Sequence, residues 1–104
     1  ELLSIGLIDK SDVQNQSKEK PAYKKYFMHG TSHHLGLDTH DYGLLEEPMT
    51  ENMVFTVEPG IYLPDEGFGV RLEDDVVIQK SGAPINLMKD IPIEVEEIED
   101  LMNK

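Results

Sequence analysis

Residues 53–58, Met53-Val54-Phe55-Thr56-Val57-Glu58, constrain the fold more than any other stretch. They are rich in β-branched and aromatic residues, and Pro59-Gly60 ends the run, so they read as a strand. A period of two puts Val54, Thr56 and Glu58 on one face and Met53, Phe55 and Val57 on the other. Residues 61–63 resume a strand, and Pro64-Asp65-Glu66-Gly67 is a turn signal. A further strand region covers residues 69–79, GVRLEDDVVIQ, in which Arg71 and Glu73 lie two apart and so project from one face. Asp74 and Asp75 are unwelcome inside a strand unless paired or at a bend.

Helical signals flank this β region. Leu2, Leu3, Ile5 and Ile8 form a short apolar helical face, with Gly6 marking its C-terminal end. Ser11 with Gln14 has the form of a capping box, from which a second short helix starts. Pro21 opens another helical turn through Ala22 to Tyr26. Residues 44–52, with Pro48 and several acids, read as a surface connection. From Pro92 onward Val95, Ile98, Leu101 and Met102 recur at helical spacing, with Glu94, Glu96, Glu97, Glu99 and Asp100 on the solvated face. The expected fold is α+β: a curved, mostly antiparallel sheet from about Ser32 to Gln79, helices on one face and a C-terminal helix.

All four histidines, His29, His33, His34 and His40, fall in one segment, MHGTSHHLGLDTHDYG, at residues 28–43. Imidazole titrates near neutrality and is the commonest metal ligand, so such clustering reads as a site rather than as scattered surface residues. Carboxylates follow at Glu58 and Glu73. One imidazole with two glutamates is an oxygen-rich donor set, suited to Mn, Fe, Co or Mg rather than to thiolate-bound zinc. Two ions need roughly five or more protein ligands, more than this chain offers. That shortfall, and an opening on ELLSIGLI that reads like the end of a helix, suggest a piece of a larger protein.

The bulk numbers bound the rest. At 104 residues the chain is one domain with a modest core. A net charge of −12 argues against a nucleic-acid partner and favours metal cations. Disulfides and thiolate sites are excluded because there is no cysteine. No apolar run reaches the roughly 18 residues of a membrane span. Together these fit a cytoplasmic protein.

Three motifs carry a specific resemblance. His29-Gly30-Thr31-Ser32-His33-His34-Leu35-Gly36-Leu37-Asp38-Thr39-His40-Asp41, Thr56-Val57-Glu58-Pro59-Gly60-Ile61-Tyr62 and Val70-Arg71-Leu72-Glu73-Asp74-Asp75 resemble, in order and spacing, segments of the Xaa-Pro aminopeptidases (aminopeptidase P). These belong to the pita-bread metallopeptidases, whose catalytic domain has two pseudo-symmetric α+β halves. The resemblance implies that residues 1–104 are the C-terminal half of such a domain. It implies that His33, Glu58 and Glu73 bind a dinuclear centre, usually of Mn2+ (Co2+, Fe2+ and Zn2+ being alternatives), with Glu73 bridging. Two aspartates from the absent half complete the set. His29 and His40 flank the metals as substrate-binding or proton-shuttling groups, and Arg71 ties the carboxylates together.

Neutral imidazoles beside cations can donate hydrogen bonds to a developing oxyanion, which agrees with those roles. Asp38 and Asp41 either fix the His40 imidazole or satisfy turn amides. His34, adjacent to a ligand on an extended segment, points away from it and reads as packing or substrate wall. Tyr42, Tyr62 and Phe55 read as core.

The implied activity is hydrolysis of the Xaa-Pro bond at peptide N-termini by a metal-activated hydroxide, with the isolated fragment inactive. The implied partners are a peptide with proline in second position and the missing N-terminal half, in a homo-oligomeric full-length protein. A prolidase acting only on Xaa-Pro dipeptides shares the motifs. A non-catalytic pita-bread binding module is the remaining alternative, and such a module would be expected to lose ligands.

Overall fold

The computed structural model describes residues 1–44 and 46–104; Leu45, in the expected surface connection, lies outside them. The described residues form two compact units, Glu1–Gly30 with Pro59–Arg71, and Thr31–Glu58 with Leu72–Lys104.

The first unit begins with a turn rather than a regular helix. Gly6 adopts φ +77, its N–H bonds to the Leu3 carbonyl, and the Leu7 N–H reaches back to Leu2 at 3.0 Å. This is the left-handed glycine cap by which helices end, so the C-terminal signal at Gly6 is real although little helix precedes it. Helix α1 (Lys10–Asn15) follows. Its capping box is Asp9 with Asp12, two residues earlier than the expected Ser11 and Gln14. The Asp9 carboxylate accepts from the Asp12 N–H at 2.9 Å and from the Ser11 hydroxyl at 2.6 Å. Ser11 thus supports the cap instead of forming it. A 3-10 turn over Ala22–Lys25 starts after Pro21, as expected.

Strands β2 (Gly60–Leu63) and β3 (Phe68–Arg71) close this unit as an antiparallel hairpin around Pro64–Gly67. Gly67 sits at φ +75, where a side chain would be strained. Tyr62 pairs with Gly69, and its ring lies so close to Gly60 and Gly69 that a Cβ on either would press into it.

The second unit is built on β1 (Val54–Val57), which pairs antiparallel with β4 (Asp74–Val77). On the far side of β4 lies the short β5 (Ile85–Asn86). Along the other edge of β1 runs an extended segment, residues 31–35. Its bonds are Glu58 N–H to Thr31 O at 2.8 Å, Thr56 N–H to His33 O at 3.0 Å and Leu35 N–H to Val54 O at 3.1 Å. With both edges paired, β1 is the best-buried strand: Phe55 and Thr56, on opposite faces, are both buried. Tyr26 is buried in the first unit.

The expected strand over residues 69–79 divides: β3 ends at Arg71, β4 begins at Asp74, and the two belong to different sheets. Arg71 and Glu73 therefore do not share one strand face. The division follows from the acids: Asp74 and Asp75 open a new strand, opposite Val57 and Thr56, and stay half-buried there. The α+β, antiparallel character holds, but as a three-stranded and a two-stranded sheet, with β5 beyond the expected limit at Gln79. The C-terminal helix α2 (Val95–Met102) starts three residues after Pro92, with Glu94 as its N-cap. Its apolar residues Val95, Ile98, Leu101 and Met102 remain exposed.

Phe55→Ala should lower unfolding stability by about 3 kcal/mol, because a large buried ring leaves a cavity in so small a core. Denaturant titration measures it. Asp9 is held below the ordinary carboxylate value by the Ser11 hydroxyl and then the Asp12 N–H. Its folded pKa is thus depressed, so the cap acts above the unfolded value and weakens as pH falls through the folded one. Amide exchange at Asp12 should accelerate over that acidic interval beyond the trend of uncapped amides.

Candidate metal centre

Three neighbouring chain segments bring the expected ligands together, and the register explains how. Residue 33 lies opposite Thr56, and Thr56 opposite Asp75. Moving two residues along β1 keeps the face and reaches Glu58; the same register extended beyond β4 sets Glu73 opposite it. His33 is then the diagonal cross-strand neighbour of Glu58, within reach for long side chains. His33, Glu58 and Glu73 each offer a ligand atom, and all three atoms lie within 4.8 Å of one another.

The polar contacts orient this set. The His33 Nδ1–H donates to the His34 carbonyl at 2.9 Å, and since a carbonyl only accepts, the proton of the neutral ring sits on Nδ1. Its Nε2 faces Glu58 Oε1 at 3.3 Å. Two lone pairs at that separation repel unless a cation, a proton or a metal, lies with them. Glu58 is further held by Thr56, whose hydroxyl donates to Oε1 at 3.3 Å and accepts from the His33 N–H at 3.1 Å. Thr56 is 1% exposed, so this one hydroxyl links both candidate ligands from below the surface. The donor chemistry fits a divalent cation: one imidazole nitrogen fixed in its ligating tautomer, two carboxylates, and a buried group behind them.

Thr56 is the site residue that motif reading missed. The available signal was its place two residues before Glu58 on the same strand face.

The other histidines divide. The His40 ring lies 4.5 Å from that of His33, centre to centre, with planes inclined at 59°. His34 turns away, as expected, and stacks on Phe55 at 4.3 Å. Gly43 makes room for it, since a Cβ there would overlap the His34 ring. Asp41 satisfies turn amides, accepting from Leu37 and Tyr42 N–H at 2.9 and 2.7 Å. Tyr42, expected in the core, is 84% exposed, because that turn carries it outward. Together with His34, Phe55, Met49 and Met53 it lines an apolar cavity of about 350 Å3.

His29 and Arg71 belong to the first unit. His29 donates from Nδ1 to the Gly30 carbonyl at 2.6 Å, and its Nε2 accepts from the Tyr62 hydroxyl at 2.7 Å. Tyr62 is thus half-buried with a polar partner rather than plain core. Arg71 ends β3 opposite Gly60, exposed.

Residues 7–80 match metallopeptidase family M24. The chain belongs to that family. It is 40% identical to the Xaa-Pro aminopeptidase of Haemophilus influenzae, over 98% of this chain and 26% of that protein. With the Xaa-Pro aminopeptidase of Escherichia coli it shares 41% identity, over 97% of this chain and 25% of that one. The solved structure of Pseudomonas aeruginosa aminopeptidase PepP superposes with a TM-score of 0.80 at 37% identity, covering 98% of this chain and 26% of that chain. The M24 chain described here therefore spans about a quarter of the length of these relatives, and its fold is that of the matching part of aminopeptidase P. No helix among its described residues is long and apolar enough to cross a membrane.

Thr56→Val keeps shape but removes the shared hydroxyl, leaving the His33 N–H without its acceptor. Stability should fall by about 1–3 kcal/mol, the cost of an unsatisfied buried donor. Affinity for Mn2+ should fall about 10–100-fold, as for other groups behind metal ligands. Denaturation and metal titration of the full-length chain read the two effects separately.

Proposed function

We propose that this chain is the C-terminal half of the catalytic domain of a dinuclear-metal exopeptidase that hydrolyses the Xaa-Pro bond at peptide N-termini. The observation that carries this reading is the convergence of His33, Glu58 and Glu73 within one unit. In the reading, His33 would ligate through Nε2, Glu58 through the oxygen that Thr56 orients, and Glu73 would serve both ions. Two aspartates from elsewhere in a longer chain complete the centre, so 104 residues alone hold it incompletely. Manganese is the metal that the resemblance implies; the donors themselves suit Mn, Fe, Co or Mg rather than thiolate-bound zinc. When bound, the ions supply Lewis acidity and an activated water.

The chain's own residues then bind and orient substrate. His40, whose ring lies 4.5 Å from that of His33, would donate a hydrogen bond to the scissile carbonyl oxygen as negative charge develops there. The resemblance would give His29, ordered by Tyr62, a substrate-side role and Arg71 a carboxylate-orienting one. A dedicated enzyme is needed because the amide before proline has no N–H and its φ is fixed, which spoils the extended fit that most peptidases require. A cytoplasmic site of action agrees with the charge of −12 and with a sequence that carries no cysteine.

The test is the full-length protein, assayed with Mn2+ on Xaa-Pro-Yaa tripeptides and on Xaa-Pro dipeptides. Tripeptide cleavage that is lost with a chelator and restored by Mn2+ is the expected result. Cleavage of dipeptides alone would make the protein a prolidase. Glu73→Gln should lower kcat/KM by more than about 100-fold, beyond what loss of a group behind the ligands costs. Full activity in that variant, or tight binding of two Mn2+ ions by residues 1–104 alone, would overturn the reading.

A further inference from the structure

The turn after the His33 segment is held by an unusual concentration of bonds on one residue. Asp41 Oδ2 accepts from the Leu37 N–H at 2.9 Å, and Oδ1 accepts from the Tyr42 N–H at 2.7 Å. Its own N–H donates to the His34 carbonyl at 3.1 Å. That carbonyl is the same oxygen that accepts the His33 Nδ1–H at 2.9 Å. One peptide oxygen thus joins the turn to the ligand imidazole.

Gly36 is fitted to this arrangement. A Cβ at Gly36 would overlap Asp41 Oδ2, and the Gly36 N–H bonds to the Asp38 carbonyl at 3.3 Å. Gly36 is not among the glycines with positive φ, so what it supplies is space for the carboxylate, not backbone freedom. Bonds from backbone N–H groups to an ionised carboxylate are short and charge-assisted, stronger than neutral ones. Two of them close the turn from Leu37 to Tyr42 around Asp41. His40 immediately precedes Asp41, and its ring lies against His33.

We propose that Asp41, seated by Gly36, is a positioning residue for the metal centre. It holds the His34 carbonyl where that oxygen fixes the His33 tautomer, leaving Nε2 bare toward Glu58, and it sets His40 beside the same ring. Asp41 touches neither substrate nor metal in this scheme; it acts through the His34 peptide. The inference rests on the reading of His33 as a ligand. Turn amides can be satisfied by many aspartates, but this one also anchors the acceptor behind a ligand, and such acceptors set ring orientation and basicity.

The test uses the full-length chain as wild type, Asp41→Asn, Gly36→Ala and the double variant. Asparagine keeps one acceptor oxygen but turns an NH2 group toward the other N–H. The alanine methyl displaces the carboxylate while Asp41 itself is kept. Two quantities are read: Mn2+ affinity by titration, and the His33 tautomer by long-range 15N–1H correlation in the metal-free protein, at a pH where the ring is neutral. Each single variant should lose about 10–100-fold in Mn2+ affinity. Each should also change His33 from a single Nδ1–H form to a mixture of tautomers, which a merely structural loss elsewhere would not do. If both act through one latch, the double variant should be no worse than the weaker single one.

Wild-type affinity and an unchanged tautomer in either variant would overturn the proposal, as would losses that multiply in the double. Unfolding of both single variants would do the same, by making the latch a requirement of the fold. Absence of metal binding by the wild-type chain would instead sink the proposed function, while the tautomer measurement would still decide the role of Asp41.

Discussion

The antiparallel register across residues 31–35, β1 and β4 is the constraint on which the rest depends. Backbone hydrogen bonds set it: Thr56 to His33 on one edge of β1, and the Thr56 to Asp75 pairing on the other. A slip of one residue on either edge would send an imidazole or a carboxylate to the opposite face. In the observed register one face of β1 presents Thr56 and Glu58 while the other presents Phe55 to the core and to the His34 ring. Packing on one side and chemistry on the other are thus joined by a single strand. Burial of Phe55 holds the side on which Glu58 emerges.

The chemistry then follows from hydrogen bonds that select one tautomer of the neutral His33 ring. The His34 carbonyl can only accept, so the His33 Nδ1 donates and its Nε2 is left facing an acceptor oxygen of Glu58. The Thr56 hydroxyl has one proton and directs it to that same oxygen. One imidazole nitrogen and two carboxylates converge there within 4.8 Å, a donor set that suits a divalent cation. The family relationship, at about 40% identity to Xaa-Pro aminopeptidases, agrees with that local condition without being needed to see it.

Much of the arrangement was legible in the chain. The strand at residues 53–58, the turn at 64–67, the glycine stop at Gly6 and the ligand motifs all rest on local properties: β-branching, proline and glycine geometry, and unusual residue types at short spacing. The misread elements share a cause. The capping box moved from Ser11 to Asp9 because two residues, each a good cap, lie within hydrogen-bonding distance of one helix start, and only the backbone angle at Asp9 selects between them. The strand over 69–79 divided because alternation looks the same in one strand as in two. The general tendency of aromatics to be buried favours the core for Tyr42, yet a turn closed by the Asp41 carboxylate turns it to solvent. The apolar stripe of α2 marks a helix and yet remains exposed, since periodicity reports a face without naming what covers it.

By itself the sequence determined which chemistry was available: imidazoles and carboxylates without thiols, on a chain of −12 charge, with one strand strong enough to anchor a sheet. Local rules decide those matters, because residue type and nearest neighbours are all they require. Only the tertiary structure decided that His33, Glu58 and Glu73, from separate segments, meet within 4.8 Å, and that Thr56 and the His34 carbonyl stand behind them. Convergence of that kind comes from pairing register between strands far apart in the chain, and no local spacing encodes it.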